Sequence, residues 1–188
     1  VMEHASEHSE PLSSDELWQQ VDSRWHELSF EAPWLSEATR KKARKMVDAL
    51  AQYLDDFQAD GKTLLASEGG FSLDVGQARV RGYIDRIEQD SIGRVVIVDL
   101  KTGKNVPGKK DIPEHAQLAC YQLALDKGAL EEVPDGLEPG GAKLIYISDG
   151  VSGKLYREVI QDTYDEKAIA AIAERIERAA TLMAGSSF

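Results

Sequence analysis

The clearest hydrophobic pattern in the chain is Val95-Val96-Ile97-Val98-Asp99-Leu100-Lys101, closed by Gly103. Such a β-branched run predicts a strand buried on both faces. Side chains alternate along a strand, so Val96, Val98 and Leu100 share one face, and Val95, Ile97, Asp99 and Lys101 share the other. The second face begins apolar and ends in a carboxylate and an ammonium. Charges at the end of a core strand need a partner, a metal or a function, because an isolated buried charge is costly.

The same reading orders the rest of the chain. Ser14-Asp15 opens a helix with Leu17, Trp18, Val21, Trp25 and Leu28 at helical spacing, and the tryptophans are expected to pack in the core. Pro33 breaks that pattern. Ser36-Glu37 starts a longer helix whose inward stripe is Ala43, Met46, Val47, Leu50, Tyr53, Leu54 and Phe57. Its outer face carries Arg40, Lys41, Lys42, Arg44 and Lys45, a solvated face by default. Gly61 ends it. Strands are predicted over 63–73, 78–88, 94–101 and 142–148, with turns at Gly76 and Gly93 that suggest antiparallel neighbours. A helix over 113–126 separates the third strand from the fourth. Residues 131–141 read as a loop, 154–160 as an edge strand, and Asp162 or Thr163 as the cap of a last helix with Ile169, Ile172, Ile176 and Met183 inward. Helices, then a mixed sheet crossed by a helix, then a helix, predict an α/β fold with one central mixed β-sheet flanked by helices.

Length and composition bound the problem. The 188 residues suffice for one domain with a sizeable core, and 42% apolar with 29% charged residues is ordinary for a globular protein. No apolar run is long enough to span a bilayer, so no membrane role is expected. The single cysteine, Cys120, excludes an internal disulfide and an iron-sulfur cluster held by four cysteines, and it is compatible with a cytoplasmic location. Val1 opens the chain without an initiator methionine, which predicts a piece of a longer protein. The net charge of −11 argues against a surface that grips nucleic acid everywhere. Between Arg79 and Lys110, however, eight basic residues stand against four acidic ones, which suggests a local basic lip around an acidic pocket.

The acidic residues of that window point to the chemistry. Asp85 sits in the strand-like run Gly82-Tyr83-Ile84-Asp85-Arg86-Ile87, where Gly82 lets another group approach closely. If the hairpin sets Asp85 beside Asp99, two hard oxygen ligands converge. With the Leu100 backbone carbonyl and water they suit Mg²⁺ or Mn²⁺. Lys101, on the face of Asp99, would then orient an attacking water or stabilise developing negative charge. Gln117 and Tyr121, four residues apart, share one face of the following helix. A phosphate-cradling loop at Lys101-Thr102-Gly103-Lys104 fails, since Val98 and Asn105 stand where that pattern needs Gly and Ser or Thr.

These segments resemble the PD-(D/E)XK nuclease superfamily, and within it the RecB-type nuclease modules carried C-terminal to UvrD/RecB-like repair helicases. Gly82-Tyr83-Ile84-Asp85-Arg86 matches the family's Gly-x-x-Asp-Arg strand, Asp99-Leu100-Lys101-Thr102-Gly103 its Asp-Tyr-Lys-Thr-Gly segment, and Gln117-x-x-x-Tyr121 its Gln-x-x-x-Tyr helix. The resemblance implies a restriction-endonuclease-like core over residues 1–188 and metal binding by Asp85 and Asp99. It implies catalysis by Lys101 with Gln117 and Tyr121 in support, and Glu68, where the family often has a Glu, as a further ligand. It implies a metal-dependent DNA exonuclease acting on single-stranded ends in recombination and repair, with a helicase motor in cis or a partner subunit. The alternative is a catalytically inactive nuclease-like module that binds DNA or a partner subunit; intact Asp85, Asp99 and Lys101 argue against it. Two departures stand out. Leu100 replaces the family's Tyr, which keeps the backbone ligand. The family's metal-binding His, in a Gly-Thr-x-x-His-like segment, has no counterpart, and His4 and His8 do not fit it. Val1-Met2-Glu3 resembles the residues that follow that His, so the expectation is that it lies upstream.

Overall fold

The computed structural model describes residues 12–185; Val1-Met2-Glu3, His4, His8 and the Ser186-Ser187-Phe188 end lie outside them. Helix α1, Ser14–Ser23, starts at a capping box in which Ser13 and Glu16 satisfy each other's backbone amides. The predicted continuation to Leu28 does not form. Ser23 donates its hydroxyl to the Gln20 carbonyl (2.9 Å), and Trp25 turns away to stack on Phe30 and donate to Ser36 Oγ (3.1 Å). A 3₁₀ turn, Trp25–Glu27, results, and Leu28 is exposed. Helix α2, Pro33–Ala59, begins three residues earlier than the Ser36-Glu37 start. Pro33 occupies its first turn, where a fixed φ helps and a missing N–H costs nothing. Val47, Leu50, Tyr53 and Leu54 of its predicted stripe are buried. On its basic face, Arg40 pairs with Asp22 and Arg44 with Asp15 and Asp48, and both guanidinium groups lie over the half-buried Trp18 ring.

Five strands follow: β1, Thr63–Val75; β2, Ala78–Gln89; β3, Val95–Lys101; β4, Pro139–Tyr146; and β5, Arg157–Gln161. They form one sheet in that order, with β5 at an edge as predicted. Gly76 and Gly93, with φ of +56° and +90°, supply the left-handed turns that join β1 to β2 and β2 to β3. Strands β2 and β3 pair antiparallel, Arg86 against Val98 through Gln89 against Val95. Strand β3 runs parallel to β4. Val95 N–H donates to the Glu138 carbonyl (2.8 Å) at the start of β3, and Ile147 N–H to the Lys101 carbonyl (3.1 Å) at its end. Parallel neighbours need a crossover. Here it holds the 3₁₀ turn Ile112–Glu114 and helix α3, Ala116–Asp126. Strand β4 starts at Pro139, inside the predicted loop.

Helix α4, Glu166–Ala184, is capped by Asp165 rather than Asp162 or Thr163. Gln122 explains the delay: it donates to the Asp162 carbonyl (3.1 Å) and accepts from Tyr164 N–H (3.0 Å). That grip holds the backbone extended until Asp165. Of the four residues predicted inward on α4, Ile169 is buried and Met183 is exposed.

The chain divides into two compact units of interleaved segments. The first comprises residues up to Thr63, Leu100–Val106 and Leu144–Val159. Its core includes Leu17, Leu50, Tyr53, Leu144 and Tyr156, with the Tyr53 and Tyr156 rings edge to face. The second comprises Leu64–Asp99, Pro107–Lys143 and Ile160 onward. Ile84, Ile87, Val95, Ile97, Leu118 and Leu123 fill its core. Among the described residues no helix is long and apolar enough to cross a membrane.

Candidate functional site

Strand β3 carries Asp99 to its buried end, where the carboxylate is only 3% exposed. Helix α3 brings up the partners. His115 caps it by accepting from Leu118 N–H, and the buried Gln122 and Gln161 amides bond to each other (2.9 Å), with Gln161 donating to the Ile112 carbonyl (2.7 Å). With the helix so fixed, Gln117 and Tyr121 project from the same side one turn apart. Gln117 Nε2 donates to Asp99 Oδ1 (2.6 Å) and to the Tyr121 hydroxyl oxygen (2.7 Å). The Tyr121 hydroxyl faces the Tyr83 carbonyl (3.0 Å) and Asp99 Oδ1 (3.3 Å).

Asp85 belongs to the same neighbourhood. On β2 and β3, Asp85 and Asp99 are the residues just past the last pair of the ladder, Arg86 against Val98. The Tyr121 hydroxyl feels both. Burial chiefly pushes its pKa up to about 12, the Gln117 bond pulls it down, and the charges of Asp99 and Asp85 each push it up. It therefore stays protonated at any working pH and acts as a donor. Two carboxylates acting on one hydroxyl form a hard, anionic donor set, which fits a divalent cation such as Mg²⁺ or Mn²⁺. Among the described residues there is no cluster of three or more His, Cys, Asp or Glu side chains able to hold a metal.

The remaining expected residues sit as follows. Leu100 and Lys101 complete β3 but belong to the first unit, both half-buried. Glu68 lies in β1 with an exposed side chain and a φ of +55°, left-handed backbone that non-glycine residues seldom adopt. Arg86, beside Asp85 in sequence, is 2% exposed and donates to Glu88 (2.6 Å). Together with the Arg79–Asp74 and Arg94–Asp90 pairs, this commits three of the eight cations of the expected basic lip to acidic partners.

The sequence reading missed Phe71. Counting outward from the two-residue turn Gly76-Gln77 sets Phe71 opposite Gly82, so the signal was present in the hairpin register. The group that Gly82 admits is this ring: a β-carbon there would stand 2.8 Å from Phe71 Cε1. Phe71 in turn packs edge to face on Tyr121, centroids 5.9 Å apart. Gly82→Ala is therefore expected to push Phe71 off Tyr121 and cost about 1–3 kcal/mol, as overpacking does. Denaturant unfolding measures this, and an unchanged midpoint would show that the ring yields freely.

A family model described as the PD-(D/E)XK nuclease superfamily matches residues 1–188. No curated protein matches the chain significantly. Among solved structures, the crystal structure of SSO0001 is similar over 98% of this chain and 83% of that one, at 15% identity and a TM-score of 0.41, too distant a likeness to bear on function.

Proposed function

The chain belongs to the PD-(D/E)XK nuclease superfamily, and from that premise we propose that it is one nuclease domain, a metal-dependent DNA exonuclease of the RecB type. It hydrolyses phosphodiester bonds at DNA ends, single-stranded ends above all, in recombination and repair. A helicase motor, in cis or as a partner subunit, supplies the strand and most of the affinity, so that a net charge of −11 is tolerated. The observation that carries this reading is the buried Asp99 carboxylate, fastened by Gln117 and Tyr121, with Asp85 acting on the same hydroxyl.

In this mechanism Asp85, Asp99 and the Leu100 carbonyl would hold Mg²⁺ or Mn²⁺, with Glu68 a further candidate ligand. When bound, the cation lowers the pKa of water and neutralises charge at the scissile phosphate. Gln117 and Tyr121 lock the Asp99 carboxylate by bonding Oδ1, the outer support that ligating carboxylates commonly have. Lys101, two residues along β3, orients the attacking water or stabilises negative charge on phosphate oxygens.

The test compares linear with covalently closed single-stranded DNA in Mg²⁺, Mn²⁺ or a chelator. Linear DNA is expected to be shortened from its ends only when metal is present, and circles to survive. Cleavage of circles would replace the exonuclease by an endonuclease. Binding without any cleavage would leave an inactive nuclease-like module.

A further inference from the structure

Residues Arg81, Tyr83 and Asp85 alternate along β2 and so project to one side of the strand. Arg81 is exposed and Tyr83 is 76% exposed, far more than a tyrosine serving the core. Both line a groove of about 640 Å³, together with Gly70, Gly82, Gly128 and Glu131. Gly70 lies against the ring: a β-carbon there would stand 3.4 Å from Tyr83 Cε1, in ordinary contact. The backbone of Tyr83 is meanwhile tied to the site, since its carbonyl lies 3.0 Å from the Tyr121 hydroxyl, which stands 3.3 Å from Asp99. An open aromatic face and a cation two residues away thus share one glycine-lined groove, on a strand whose backbone is bonded to the hydroxyl that reaches Asp99.

We propose that Tyr83 is a platform on which one unpaired base of single-stranded DNA stacks in the groove it shares with Arg81, which meets the neighbouring phosphate. Every base has a π face, so such a platform tolerates sequence but requires an unpaired strand. The inference rests on the nuclease reading for its substrate class and adds the residue that selects single strands.

The test measures binding, without catalysis. Fluorescence anisotropy of a labelled single-stranded oligonucleotide is followed with the whole chain in a chelator. Tyr83→Ala is expected to weaken binding roughly five- to 150-fold, the range of one base–aromatic stack. Tyr83→Phe should bind like wild type, because the ring and not the hydroxyl does the stacking. An oligonucleotide of abasic sites should bind wild type and Tyr83→Ala alike. Arg81→Gln should flatten the log–log salt dependence by about 0.7, one phosphate contact on a single strand. Wild-type affinity in Tyr83→Ala, a Tyr83→Phe as weak as Tyr83→Ala, or no binding by wild type would each overturn the platform. Because no hydrolysis is read, the platform can fail while metal-dependent cleavage persists, and loss of cleavage alone would count only against the nuclease reading.

Discussion

Asp99→Asn is expected to cut metal-dependent cleavage by orders of magnitude while the chain stays folded. The substitution keeps shape and polarity but removes the charge at a position that is 3% exposed. A cation polarising phosphate and water contributes several kcal/mol to the barrier, and about 1.4 kcal/mol is tenfold in rate, so the loss should lie at roughly 10²–10⁴-fold. Asp85→Asn should behave alike, because it removes the other proposed metal ligand. Gln117→Leu and Tyr121→Phe should lose less, about 10–100-fold, since they orient a ligand rather than serve as one. Single-turnover cleavage with saturating Mn²⁺, alongside calorimetric Mn²⁺ titration, separates the two groups. Wild-type turnover in Asp99→Asn would remove the metal from the argument.

Much of the site is local in sequence. The β-branched run of β3 fixes its strand, alternation fixes the companions of Asp99, and the four-residue spacing of Gln117 and Tyr121 needs only a helix to become a shared face. What stayed hidden depends on groups brought together from distant segments. The start of α4 is one case: Asp162, Thr163 and Asp165 are all good caps, and the choice falls to Gln122, some forty residues earlier. The end of α1 is another, decided by Trp25 bonding Ser36 on the next helix. Gly82 was legible as a close approach, but the identity of the approaching group required the hairpin register to be counted across to Phe71. Arg86 shows the opposite failure. In sequence it counts toward the basic lip between Arg79 and Lys110; folded, it is enclosed and held by Glu88.

That enclosed arginine leads to the largest expected effect on stability. Arg86, Glu88 and Lys143 are 2%, 1% and 6% exposed, and Glu88 faces both cations, Arg86 at 2.6 Å and Lys143 at 3.3 Å. Taking charges out of water is costly, and mutual attraction offsets the cost only while the partners are present. Glu88→Gln keeps the volume and removes the carboxylate that both cations face. It should therefore cost about 3–5 kcal/mol, a large share of the roughly 5–15 kcal/mol that holds a typical domain together. For a chain of this length that corresponds to a fall in Tm of roughly 6–20 °C. A triple replacement by apolar residues of similar volume, Arg86→Met with Glu88→Leu and Lys143→Met, should regain most of the loss, because the three charges are removed together. Denaturant unfolding of the two variants beside wild type distinguishes a cluster that stabilises only as a set from one that contributes nothing. If Glu88→Gln unfolds within 1 kcal/mol of wild type, the Glu88 carboxylate is not what compensates the two buried cations.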